Sequence, residues 1–275
     1  MQAEINVLGT FETNIDGVSI VPSAAKPRHL LAVLALNAGR VMTATTLIEE
    51  LWGAKAPRSA YKTLQTYVMQ LRKFIADTLP GVDRYRSRKI LETRQTGYSL
   101  WLDREALDAD RYVWLAAAGR AAGAEGDYVT AERMLRAALA VWRGPLLVDV
   151  SLGPHLEIEA TRLSESRLTD LTLRIDADFC LGRHHQLLGD LAALCARHPY
   201  MENFRAQYML ALYRCGRPGQ ALEVYHDMRA TIRDQFGVDP SPRLRMLHQA
   251  VLLGDPAIDD PRFVVNEWVP DAIAC

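Results

Sequence analysis

The chain contains no long apolar run. The longest, Leu30 to Leu36, is 7 residues, against the roughly 20 that a membrane-spanning helix needs. The start, Met1-Gln2-Ala3-Glu4, places no basic region ahead of an apolar one, so no export signal is expected. Cysteine is scarce, at 4 in 275 residues (Cys180, Cys195, Cys215, Cys275), and no Cys-x-x-Cys pair occurs. That argues against a disulfide framework and for reduced thiols in a cytoplasm. Phosphate-cradling Gly-x-x-x-x-Gly-Lys-Ser/Thr loops, Gly-x-Ser-x-Gly elbows and His-Glu-x-x-His pairs are all missing. Nucleotide hydrolysis, serine-esterase chemistry and zincin-type hydrolysis therefore lack their usual parts. Glu157 and Glu159 are two apart on an expected helix and do not face each other, so they form no acid/base pair. No enzymatic activity, catalytic residue, cofactor or bound metal is expected.

Apolar residues make up 49% and charged residues 24%, an ordinary globular balance that excludes wholesale disorder. The net charge of −1 hides an asymmetry. Residues 1–101 carry 13 Lys and Arg against 8 Asp and Glu, a surplus of 5 positive charges; residues 102–275 carry 19 against 25, a surplus of 6 negative ones. All five lysines (Lys26, Lys55, Lys62, Lys73, Lys89) lie in the first part. A basic module joined to an acidic one fits a polyanion-binding half and a half with another task, although differently solvated surfaces produce the same asymmetry.

Within Glu4–Ile20, β-type runs at Ile5–Leu8 and Val18–Ile20 surround Asp16-Gly17, a hairpin-turn pair. Three helices follow. One spans Arg28–Asn37 and stops at Gly39. The next spans Thr45–Trp52 behind the capping residues Thr43 and Thr45. The third spans Ser59–Leu79, with Ser59 as its cap and Pro80-Gly81 as its stop. On a wheel of 100° per residue, Val68, Leu71 and Ile75 fall within about 40° of Leu64 and form a core stripe. Lys62, Thr63, Thr66, Met69, Gln70 and Lys73 occupy the opposite side, between about 140° and 260°. Lysine for phosphates and Thr or Gln for base edges is the chemistry of a helix that enters a major groove. A merely solvated face would carry the same pattern. Arg72 falls on the flank, where phosphate is the expected contact, and Tyr67 and Phe74 fall where packing is expected.

Arg84 to Lys89 packs four bases into six residues and leads into Ile90–Thr93 and Tyr98–Trp101. These are expected to be two strands around a Gly97 turn, with Arg94 at the hairpin tip. Helix, helix, basic helix and basic hairpin make a winged helix-turn-helix. The series Leu47-Ile48-Glu49-Glu50-Leu51-Trp52-Gly53, then Leu64-Gln65-Thr66-Tyr67-Val68 to Lys73, then Gly97-Tyr98-Ser99-Leu100 resembles the winged-helix domain of the Streptomyces antibiotic regulatory protein family. That domain is itself similar to the one in OmpR-type response regulators. The resemblance implies DNA contacts from Lys62, Thr63, Thr66, Gln70, Arg72 and Lys73, a phosphate contact near Trp52 and a wing contact at Arg94.

From Asp103 onward the pattern is helical. Gly126, Gly182 and Gly216 each precede a small or apolar residue by five positions (Ala131, Leu187, Ala221), and apolar residues follow those at helical spacing. Gly182 to Gly216 is 34 residues, the tetratricopeptide period, with one long helix expected over Pro154–Leu181. Stacked helical hairpins of this kind serve protein partners. Ala140–Leu147, Arg174–Asp178, Met209–Arg217, Ala221–Tyr225 and Phe236–Pro242 resemble the bacterial transcriptional activation domain of the same family. His184, His185, Cys195 and His198 tempt a metal reading, but adjacent helical histidines diverge by about 100°. Cys180 and Cys215 are expected as small core residues. Gly254–Cys275 either docks or hangs loose.

The expected fold is therefore mainly α: an N-terminal winged helix-turn-helix (α+β) over 1–102, an all-α tetratricopeptide-like repeat domain over 103–255 and a tail over 256–275. The family resemblance implies a cytoplasmic, nucleoid-associated activator, without membrane contact, acting on double-stranded promoter DNA. It binds direct repeats near the −35 region as a homodimer or as side-by-side protomers, and recruits RNA polymerase for an antibiotic gene cluster. Two rivals remain: a helical-repeat adaptor for an acidic protein, and a metal-dependent hydrolase built on His184, His185 or His198.

Overall fold

The computed structural model describes residues 2–102, 106–260 and 263. The chain opens on a three-stranded antiparallel sheet of β1 (Ala3–Asn6), β2 (Glu12–Ile15) and β3 (Val18–Ser19), in that order. Ala3 pairs with Ile15, and Asn14 with Ser19. Asp16 and Gly17 both have positive φ, 49° and 79°, which suits a two-residue turn between twisted strands. The strand entering that turn is β2. Glu-Thr-Asn-Ile buries only Thr13 and Ile15, too little alternation to be read from sequence.

Then come α1 (Ala25–Leu36), β4 (Met42–Thr43), α2 (Ala44–Trp52), α3 (Ala60–Thr78), α4 (Arg84–Ile90), β5 (Leu91–Arg94) and β6 (Gly97–Leu100). The Thr43 hydroxyl caps α2 by accepting from the Thr46 N–H at 3.1 Å. The Ser59 side chain makes no capping bond to α3, contrary to expectation. Its carbonyl is used instead, accepting the Thr63 N–H at 2.9 Å and the Thr63 hydroxyl at 3.1 Å. The basic segment from Arg84 is a helix of its own, started by Asp83, whose carboxylate accepts from the Tyr85 and Arg86 N–H groups at 3.0 and 2.8 Å. β5 and β6 form the wing, and β4 joins them in the order β4-β6-β5. Gly97 permits that third strand: a Cβ there would lie 1.9 Å from the Met42 carbonyl oxygen.

Two compact units divide the chain: residues 1–116 with 137–167, and residues 117–136 with 168–275. In the first, one core runs from Ile5, Phe11 and Leu31 through Leu64, Leu71 and Ile75 to Tyr112, Trp142 and Leu156. The winged helix thus shares its interior with segments far along the sequence. The Asp108 carboxylate accepts from the Val7 and Leu8 N–H groups at 2.9 and 3.0 Å. Buried Glu50, on α2, accepts from the N–H groups of Gly153, His155 and Leu156 at 2.8, 2.7 and 3.3 Å, and also pairs with His29 at 2.9 Å.

The helices α5 (Asp108–Ala124), α6 (Tyr128–Ala140) and α7 (Pro154–Cys180) each contribute to both units, and α8 (His184–Arg197), α9 (Glu202–Arg214), α10 (Pro218–Phe236) and α11 (Pro242–Leu253) lie in the second. Gly126, Gly182 and Gly216 take φ of 79°, 72° and 72°, the left-handed stop that ends a helix before an antiparallel return. Leu187, Leu191, Ala221, Tyr225, Met228 and Ile232 are buried as their spacing predicts. Cys180 and Cys215 are only partly buried, because they stand at the last residue of α7 and the C-cap of α9. The start of the tail is docked. Arg214 donates to the carbonyls of Ile258, Asp260 and Phe263 at 3.0, 2.6 and 3.1 Å, and Ile258 is fully buried. Residues 261–262 and 264–275, the rest of the expected tail, lie outside the described residues. Among the described residues no helix is long and apolar enough to cross a membrane. The architecture is a winged helix followed by a helical stack.

Candidate nucleic-acid interface

α3 is anchored by Leu64, Val68, Leu71 and Ile75, all at most 2% exposed. Its opposite side presents Lys62, Thr66, Met69, Gln70 and Lys73 exposed, with Thr63 half-buried at the edge. The ammonium groups of Lys62 and Lys73 form no ion pair among the described residues. Their charge is uncompensated and available to a polyanion. The Thr66 hydroxyl donates to the Lys62 carbonyl at 3.0 Å, and that of Thr63 to Ser59. Both hydroxyls thus keep accepting lone pairs outward, suited to the amino groups of adenine or cytosine.

Arg72 sits differently. Its Nε and Nη2 donate to the Leu91 carbonyl at 2.9 and 2.8 Å, and Nη2 also reaches the Thr93 hydroxyl at 2.8 Å. The guanidinium therefore fastens α3 to the first strand of the wing. Burial, with Arg88 nearby, holds its pKa below the usual arginine range. It still carries its charge at neutral pH.

At the wing, exposed Arg94 pairs with Glu92 at 2.6 Å and lies over the Trp101 ring, 5.5 Å from its centre. Trp52 is half-buried and stacks on Tyr67, ring centres 6.0 Å apart. The Lys26 ammonium lies 6.0 Å from the Trp52 ring and donates to the Leu51 carbonyl. Tyr67 is thus a packing residue, as its wheel position implies.

Sequence reasoning did not place α4. Arg84, Ser87 and Arg88 of that helix join Met69, Gln70, Arg72 and Lys73 around a recess of about 310 Å³ beside α3. Four cations and no carboxylate line it. The dense bases of residues 84–89 were the available signal; the Asp83 cap that turns them into a helix was the overlooked one.

Nothing at this face resembles a reaction centre. An apolar-anchored helix with an open cationic side, framed by a basic helix and a hairpin, is the arrangement of a winged-helix regulator. Comparison with known proteins agrees. Residues 20–100 match the family model described as "Transcriptional regulatory protein, C terminal", and residues 107–252 match "Bacterial transcriptional activator domain". The chain is 43% identical over 256 residues to the regulatory protein DnrI of Streptomyces peucetius, covering 93% of this chain and 94% of that one. It is 40% identical over 253 residues to the regulatory protein AfsR of Streptomyces coelicolor, where it covers 92% of this chain but 24% of that longer protein. A solved structure of Mycobacterium tuberculosis EmbR, in complex with a low-affinity phosphopeptide, superposes with a TM-score of 0.83 at 32% identity, covering 96% of this chain and 69% of that one. The chain belongs to the Streptomyces antibiotic regulatory protein family of transcriptional activators.

Proposed function

We propose that this activator binds promoter DNA through the outward side of α3. Thr63, Thr66 and Gln70 meet base edges, while Lys62 and Lys73 hold phosphates. Arg94 makes the wing contact and Trp52 flanks a phosphate. Arg72 acts by holding the wing against α3. Arg84 and Arg88 extend the phosphate-binding track. The observation that carries this reading is the solvent-facing polar and cationic side of α3 opposite a fully buried stripe. Residues 1–102 form the DNA-binding module, residues 103–255 the activation domain, and 256–275 a terminal extension. Protomers sit side by side on direct repeats near the −35 region, about one helical turn (~10.5 bp) apart, and recruit RNA polymerase to an antibiotic or other secondary-metabolite gene cluster. The protein works in the cytoplasm, at the nucleoid.

The test is gel shift across promoter fragments combined with transcription in vitro by purified polymerase. Lys73→Ala is expected to weaken all fragments alike, and Thr66→Ala or Gln70→Ala to reorder their ranking. An unchanged ranking in both of the latter variants would remove base reading from this helix.

A further inference from the structure

The second unit holds a cluster that the DNA-binding reading does not use. His184 and His185 are the first two residues of α8, after the Gly182 turn, and Cys215 is the C-cap of α9, before the Gly216 turn. The Cys215 Sγ and His185 Nδ1 are 3.3 Å apart. One ligand atom from each of the three residues lies within 4.8 Å of the other two. On a tetrahedral Zn²⁺ with bonds of about 2.0–2.3 Å, neighbouring ligand atoms stand roughly 3.3–3.6 Å apart. The His185–Cys215 separation already meets that spacing, and His184 offers a ring nitrogen within 4.8 Å of both.

Adjacent helical residues usually diverge too far to share an ion. Here the two imidazole rings nonetheless lean together, centres 5.0 Å apart at 37°. The His184 Nδ1 is buried without a hydrogen-bond partner among the described residues. Such an atom costs free energy unless something satisfies it. The other two members of the cluster apparent in the sequence do not take part. Burial pushes the Cys195 thiol up to about 11, and the His198 ring packs on Phe204 at 5.6 Å.

We propose that His184, His185 and Cys215 form a binding site for one thiophilic divalent cation, Zn²⁺ being the model. The ion joins the turn between α7 and α8 to the turn between α9 and α10. A free cysteine is a thiol at neutral pH. Binding exchanges that proton for the metal: the S–H bond breaks, an S–metal bond forms, and H⁺ leaves to solvent with no redox change. Exposed His185 leaves one side of the ion open to water. Arg214 opposes the added charge, but its guanidinium is turned to the carbonyls of 258, 260 and 263.

The test uses the full chain under reducing conditions with Co²⁺ as a spectroscopic probe. Expected are one equivalent bound per chain, a thiolate-to-cobalt charge-transfer band in the near ultraviolet, and loss of that band on adding Zn²⁺. Cys215→Ser should abolish the band, and Cys180→Ser should leave it intact. His185→Gln, at an exposed position, should weaken binding at least about tenfold with the helical circular dichroism unchanged. Absence of the band in the unaltered chain, its survival in Cys215→Ser, or unchanged binding in His185→Gln each overturns the site.

Discussion

Two regions of this molecule use the same residue types in opposite ways. Along α7 and its neighbours in the second unit, buried carboxylates are answered by arginines. Arg120 meets fully buried Asp170 with two bonds of 2.6 and 3.0 Å. Arg174 lies 3.6 Å from Asp178 and 3.5 Å from Asp190. Arg183 bridges Glu132 and Asp178 at 3.3 and 3.4 Å. Burial still pushes the Asp178 carboxyl above its usual range, even with three arginines beside it. A set of this kind fixes which helices pair but contributes modest net stability. On α3 and α4 every cation but Arg72 is exposed, and the recess between them contains no acid. An internally neutralised arginine is spent on structure; an unanswered one keeps its field for a ligand. The position of the countercharge, more than the number of basic residues, separates scaffold from interface.

The sharpest way to break that comparison is at Glu50, which is scaffold charge lying close to the interface. Removing its carboxylate strands three N–H groups at the start of α7 together with His29. Glu50→Ala should cost about 3–5 kcal/mol, read as a lower urea midpoint. The effect should depend on pH in one direction. Burial raises the Glu50 pKa, but the His29 bond and the N–H groups of Gly153, His155 and Leu156 outweigh it, so the net shift is downward from 4.5. A lowered acid pKa stabilises the fold fully above the unfolded value and loses that contribution as pH falls through the folded one. The gap between Glu50→Ala and the unaltered chain should therefore be full near neutrality and shrink below about pH 4.5. A gap that is constant with pH would mean that packing, not the carboxylate, sets it.

Glu50 also marks where the sequence stops being readable. Its place in Leu-Ile-Glu-Glu-Leu-Trp looks like ordinary helix surface, because its N–H partners lie more than 100 residues away. Local periodicity reports faces, not distant acceptors. The stripe of Leu64, Val68, Leu71 and Ile75 was legible because 19 residues of helix repeat the pattern. α4 was not legible: seven residues bury only Ser87 and Ile90. β4 was not either, since its two residues exist as a strand only because Gly97 lets Met42 come close. At the interface, the outward residues followed from their wheel angles. What Arg72 holds did not, because the angle gives its direction and not the Leu91 carbonyl at its end.

Arg72 and Lys73 then supply the next test, since neighbours in sequence fall on opposite sides of the comparison. Arg72→Ala should destabilise the first unit by about 1–2 kcal/mol, because charge-assisted bonds to Leu91 and Thr93 are lost from a half-buried place. Lysine should not rescue it, as one ammonium cannot reproduce the forked contact. Lys73→Ala should leave the thermal midpoint within experimental error. It should instead lower the slope of log affinity against log salt by about 1. If the two variants exchanged phenotypes, the division into scaffold and interface would be wrong on α3 itself.

The smallest expected effect sharpens the comparison most, because Arg94 belongs to both categories. It stands exposed at the wing tip, yet Glu92 holds it at 2.6 Å across a pair in which both partners are partly solvated. Such pairs contribute only about 0–1 kcal/mol, so DNA phosphate can displace the carboxylate at little cost. Glu92→Gln removes that competition and one negative charge near the phosphates. Affinity should rise, by up to about fivefold at low salt, and the gain should fade as ionic strength screens it. The double variant Glu92→Gln with Arg94→Ala separates two causes. If the gain comes from freeing Arg94, it disappears in the double variant; if it comes from the lost charge at position 92 alone, it persists, and the wing contact moves from Arg94 to the rest of the hairpin.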